Sequence, residues 1–208
     1  MLAIFKREFK SYFQNVIGWL FVAALLAVYG LYFYVYNLKN GYPYISYDLN
    51  GIGFIMMIAV PILTMRSLSD EKKTKTDQLM LTSPVSVGRI VAGKYLAMAA
   101  VYTIDIALFA LSPLVLSIYG KVALSEAYVA LFGYWLYGLS CIAVGLFISS
   151  ISESVIISAI LTFAALFLSY MMQSITGLIS SSGNLLTKVL NCFDLYTPFE
   201  NFVSGCFS

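Results

Sequence analysis

The side chains that usually carry chemistry are scarce in this chain, and their spacing excludes more than it offers. No histidine occurs, and the three cysteines Cys141, Cys192 and Cys206 do not cluster. Zinc and haem sites draw on His and Cys at close spacing, and a histidine-based triad needs its base, so both are excluded. Cys192 and Cys206 can pair if both face an oxidising side, or remain free thiols. Met56-Met57 reads as gap-filling rather than copper-binding, because no cluster of soft ligands surrounds it in sequence. Gly93-Lys94 precedes Tyr95 and lacks the upstream glycine and strand of a phosphate-binding loop. No nucleotide site or metal cofactor is therefore expected on this chain. Scattered serines without a histidine base leave only a Ser/Lys or carboxylate pair for an intramembrane enzyme.

Two polar features remain. Asp105, in Tyr-Thr-Ile-Asp-Ile-Ala, lies deep in an apolar run. A carboxylate there is costly, so it reads either as a point on a translocation path or helix lock, or as a protonated or hydrogen-bonded group that simply packs. The second feature is the polar stretch that starts at Met65-Arg66 and contains Asp70, Glu71, Lys72, Lys73 and Lys75. Ser67 followed by Asp70 resembles a capping box, and Asp70 and Glu71 suit the positive end of a helix dipole. Leu79, Met80 and Leu81 add an apolar patch, and Ser83 before Pro84 resists helical geometry. The pattern predicts a short charged helix within residues 67–86, able to dock into a groove on a soluble partner. The plainer reading is a solvated basic loop. Arg66 either snorkels to the interface or pairs with Asp70 or Glu71.

The elements that position these residues follow from composition. Hydrophobic residues make up 61% of the chain and charged residues 11%. A soluble domain carries about a quarter charged residues, so lipid is the solvent here. Five apolar stretches, at 16–36, 51–65, 96–118, 127–148 and 155–179, approach the roughly 20 residues needed to cross a bilayer as helix. The second is short and holds Pro61, which predicts a kink or an extension into the interface. Ahead of the first span, Leu2, Phe5, Phe9 and Tyr12 recur at helical spacing opposite Lys6, Arg7 and Lys10, which predicts an interfacial helix over residues 1–14. This start is not a signal peptide, because its apolar run is too long and lacks a small-residue cleavage site.

Placing the N-terminus in the cytoplasm puts Lys6, Arg7, Lys10, Arg66, Lys72, Lys73, Lys75, Arg89 and Lys94 inside, against Lys39, Lys121 and Lys188 outside. The turn between the fourth and fifth spans contains Ser152, Glu153 and Ser154, and Ser152 or Ser154 can cap the next helix. Residues 180–208 form an outer segment in which Leu185, Leu186, Val189, Leu190 and Phe193 repeat at helical spacing. Re-entrant backbone must be buried in protein, so this segment is expected to pack on the bundle.

Met65-Arg66, Asp70-Glu71-Lys72-Lys73, Thr76, Leu79-Met80-Leu81-Thr82-Ser83-Pro84-Val85-Ser86 and Gly93-Lys94-Tyr95-Leu96-Ala97 together resemble the signature of type-2 ATP-binding-cassette (ABC) permeases. The similarity extends to gliding-motility-associated members. Phe5–Phe13 is similar to the family's interfacial helix, and Asp194–Gly205 to the segment before its last helix. Lys75 departs from the family, which commonly has glycine before the threonine.

The resemblance implies an all-α integral membrane domain over 1–208, in a bacterial cell membrane. It also implies a sixth span, absent from the chain as given, for which truncation is the simplest account. The implied partners are a cytoplasmic ATP-binding subunit carrying ATP and Mg, a second permease subunit and the bilayer, with no nucleic acid. Arg66, Asp70, Glu71, Lys72, Lys73, Thr76, Leu79, Leu81, Pro84, Ser152 and Glu153 would couple to the ATP-binding subunit, and export is the family direction. The alternatives are an ATP-independent secondary transporter or channel, or a membrane assembly protein. Paired repeats and several intramembrane charges mark the transporter class, and neither is visible here.

Overall fold

The structure is a computed structural model that describes residues 2–42, 44–73, 86–119, 123–179, 196 and 199; the side chains of Ala3, Tyr119 and 172–179 lie outside the description. Cys192, Cys206 and most of 180–208 are likewise outside the described residues. Among the described residues every regular element is helical: α1 (Leu2–Gln14), α2 (Val16–Phe33), a π-helical turn (Tyr34–Lys39), α3 (Ser46–Thr64), α4 (Ser69–Lys73), α5 (Val87–Phe109), α6 (Ser112–Tyr119), α7 (Leu124–Ile151) and α8 (Val155–Ile179). Four stretches are long and apolar enough to cross a membrane: Val16–Lys39, Ser46–Lys73, Val87–Ile118 and Leu124–Ile151. In α8 the described side chains give a shorter apolar helix, Val155–Met171.

The helices overrun the apolar windows that announce them. α3 begins at Ser46, because Asp48 is fully buried and accepts a hydrogen bond from Asn37 Nδ2. The π turn carries Asn37 and leaves it almost fully buried. Pro61 sits inside α3, and the helix continues past it, with the Met65 amide donating to Pro61 O at 2.9 Å. α5 starts nine residues before the expected boundary of 96, at Val87, and the run breaks after Phe109. Pro113 lies in the first turn of α6, where its missing N–H costs nothing.

α3 is the centre of the bundle, packed against α2, α7 and α8, and its Ile52, Met56, Met57, Val60 and Leu63 are sealed from solvent. Aromatic rings fill the half of the core away from α4. Tyr29 stacks on Phe109 with centroids 4.1 Å apart, and Tyr102 donates from its hydroxyl to Tyr134 O at 2.7 Å. A Cβ on Gly138 would collide with the Tyr102 ring, so α5 and α7 can approach this closely only at glycine. Tyr196 and Phe199 are both buried in this core, and Phe199 stacks on Tyr137 at 5.4 Å. At these two positions the distal segment does pack on the bundle. Large apolar side chains such as Phe147, Ile151, Ile156 and Ile160 stay exposed on the flank, as helices solvated by acyl chains require.

Candidate functional site

At one end of the bundle α1, the end of α3, α4, the start of α5 and the α7–α8 turn come together. α1 is amphipathic, with Phe5, Phe9 and Phe13 in successive ring contact along one face. It turns back on α2 at Gly18, where a Cβ would strike the Tyr12 carbonyl. Trp19 Nε1 donates to Phe13 O at 2.8 Å and fixes the corner.

Lys94, in the second turn of α5, is the buried hub, at 2% exposure. Its ammonium lies 2.7 Å from Glu71 Oε1, 3.4 Å from Glu8 Oε1 and 3.0 Å from Ser67 O. Arg7 reaches Glu8 at 2.8 Å, so the charges alternate Arg7, Glu8, Lys94, Glu71 and sum to zero. Desolvating an ion costs several kcal/mol, and an alternating, hydrogen-bonded row offsets that cost where an isolated pair would not. One ammonium thereby joins α1, α4 and α5. Tyr12 sits beside it, with its hydroxyl 3.5 Å from Leu63 O. Burial, then the Glu8 carboxylate, push that hydroxyl well above its ordinary value; Ser67 works against this and Glu71 adds to it.

A second tie runs to α7. Ser149 Oγ accepts the amides of Leu68 and Ser69, each at 3.2 Å, and faces Met65 O at 3.5 Å. These are first-turn amides that have no partner within a helix. The local cap expected from Ser67 is replaced: α4 starts at Ser69, and its leading donors are satisfied from a helix 80 residues away. Ser69 Oγ donates back to Met65 O.

The structure brings Arg66, Asp70, Glu71, Lys72 and Lys73 to the same end as Ser152 and Glu153, because α4 packs against α7 and α8. Glu71 is turned inward on Lys94. Arg66, Lys73 and Glu153 are exposed, and Asp70 and Lys72 are partly so. Of the two readings of Arg66, the pair with Asp70 is present but loose, Nε to Oδ2 at 3.9 Å with both side chains about half exposed. Such a surface pair contributes under about 1 kcal/mol. Ser154 accepts the first bond of α8 through its backbone carbonyl, from Ser158 N at 2.9 Å, while Ser152 Oγ donates to Ser154 O at 3.3 Å. Thr76, Leu79, Leu81 and Pro84 lie outside the described residues.

Asp105 is remote from this junction, about 16 Å along α5 from Lys94 at 1.5 Å per residue. It is fully buried near the middle of the apolar stretch Val87–Ile118, and neither carboxylate oxygen has a hydrogen-bond partner among the described residues.

Lys94 and Ser149 escape sequence reasoning for one reason. Hydropathy reads Lys94 as a flanking positive charge and Ser149 as turn chemistry; their partners lie 23 and 80 or more residues away. The helical phase of Lys94 with the buried Ala97, Met98 and Val101 was the available signal.

Among the described residues no group of side chains is able to hold a metal ion. What the arrangement can do is mechanical: it makes a short polar helix move with three longer ones. No curated protein and no solved structure matches the chain. A sequence model for a family described as "ABC-2 family transporter protein" matches residues 32–204, a range that takes in Glu71, Lys94 and Ser149. Several membrane-crossing helices gathered around one tied polar helix fit that match, and the chain belongs to the ABC-2 family, as a membrane component of an ABC transporter.

Proposed function

We propose that this chain is the permease subunit of an ABC exporter and resembles gliding-motility-associated permeases. A separate cytoplasmic polypeptide binds ATP and Mg, and the chain pairs with a second permease subunit. α8 serves as a fifth span, α1 lies in the membrane interface, and the N-terminus is cytoplasmic, as the bias of Lys and Arg toward the α4 end supports. The observation that carries the mechanism is the double hydrogen bond from Leu68 and Ser69 to Ser149. It sets α4 beside the Ser152–Ser154 turn, so that one partner surface touches both. ATP closes the partner subunits; the displacement of α4 then reaches α5 through Lys94 and α7 through Ser149. ATP shifts the spans only as far as it binds one arrangement of the complex better than the other. Asp105 lies on the translocation path in this reading, supported by its burial and by carboxylate oxygens that have no hydrogen-bond partner among the described residues.

The test is co-expression with a candidate soluble subunit that carries a phosphate-binding loop, then co-purification and ATPase assay. Arg66→Glu/Lys73→Glu/Glu153→Lys reverses the exposed charges and is expected to weaken assembly at least tenfold. Unchanged assembly and ATPase activity would sink the docking reading.

A further inference from the structure

We infer that a polar cleft between α1, the start of α2 and the α3–α4 link binds the phosphate headgroup of an anionic phospholipid. This rests on the reading of α1 as an interfacial helix. The cleft has a volume of about 670 Å³ and is lined by Arg7, Lys10 and Arg66 as well as by the Glu8–Lys94–Glu71 row. Lys94 is committed to its two carboxylates. Lys10 and Arg66, whose pair with Asp70 is loose at 3.9 Å, are the exposed cations that face incoming ligand. Arg7, paired with Glu8 at 2.8 Å, keeps a largely exposed guanidinium beside them. Counting Lys94, four positive and three negative groups leave the cleft at +1.

A free anion would use this charge alone. A phospholipid also uses what adjoins it. Ile17 lines the cleft, and Val16, Trp19 and Leu20 in the first turns of α2 are 76%, 60% and 48% exposed. Below a headgroup held by Arg7, Lys10 and Arg66, an acyl chain would lie along that apolar column. Guanidinium forks suit phosphate oxygens, and basic residues near a membrane surface gain affinity from anionic lipid.

The chain has two tryptophans, so Trp135→Phe leaves Trp19 as a sole reporter. The full chain is placed in phosphatidylcholine vesicles with a small, equal fraction of brominated phosphatidylglycerol or brominated phosphatidylcholine. The expected result is preferential quenching of Trp19 by the anionic lipid, an affinity ratio of about fivefold per basic residue engaged. The preference should vanish in Arg7→Gln/Lys10→Gln/Arg66→Gln and persist in Lys10→Arg. Equal, strong quenching by both lipids overturns the headgroup site but leaves the interfacial placement of α1 intact. No quenching by either overturns that placement too. A change in Trp19 emission on titrating inorganic phosphate at constant ionic strength, with no preference for the brominated anionic lipid, assigns the cleft to free phosphate and overturns the lipid.

Discussion

The ammonium of Lys94 meets the carboxylate of Glu71 at 2.7 Å, joining the second turn of α5 to the middle of α4, with Glu8 of α1 on the far side. Lys94→Met leaves two carboxylates facing each other with no cation between them. A loss of about 3 kcal/mol is expected, the low end for breaking a buried pair, because Glu8 and Glu71 keep some solvent contact. Glu71→Gln keeps a hydrogen-bonding oxygen and should cost about 1–2 kcal/mol. Thermal unfolding in detergent reads both, and a Met variant that melts with the parent protein contradicts the buried network.

Ser149→Ala removes the acceptor that two α4 amides share. A cap of this kind contributes about 1 kcal/mol, rising toward 2 where both donors are otherwise orphaned. Hydrogen exchange at Leu68 and Ser69 should quicken by roughly 5–30-fold, while Ser149→Thr, which retains the hydroxyl, should stay close to the parent rate. Equal protection in the Ala variant would mean that another group caps α4.

Gly138→Ala forces a methyl group into the Tyr102 ring and should destabilise by about 1–3 kcal/mol, the usual cost of overpacking. Tyr102→Leu in the same chain makes room for it. The double variant is therefore expected to lose less than the sum of the single changes, which a double-mutant cycle on unfolding midpoints measures.

Tyr12 gives the α4 end an alkaline signature. Its hydroxyl titrates higher in the folded protein than its ordinary value of 10.0, with burial as the main cause. The folded state therefore keeps a proton that the unfolded chain releases. The stability linked to this group is complete below pH 10 and is lost as pH rises beyond it. Tyr12→Phe should flatten part of the decline in melting temperature above pH 10, and an unaltered slope argues against desolvation of the Tyr12 hydroxyl.

Hydropathy alone locates α2, α3, α5 and α7, because a membrane-crossing helix must be apolar over most of its length. The boundaries were less legible. Ser46–Asn50 looks like outer loop until Asp48 is seen paired with Asn37, and that pairing depends on a π turn no local pattern announces. The polar stretch after Met65 is evident from its charge density, yet its inward and outward faces are not. Glu71 and Lys72 are adjacent and equally polar, and nothing local says that Lys94 turns Glu71 inward. Local propensity places a cap at Ser67, whereas the tertiary partner Ser149 moves the helix start to Ser69.

The distance in sequence between Ser149 and α4 has a consequence for biosynthesis. The described start of α4 is tied in place by Ser149, which accepts the Leu68 and Ser69 amides, and by Lys94, which holds Glu71. A ribosome adding about 5–20 residues per second reaches Ser149 roughly 4–16 s after it has made Ser69. Throughout that interval the stretch awaits its cap, so the element proposed to meet the ATP-binding subunit matures only after α7 has been translated.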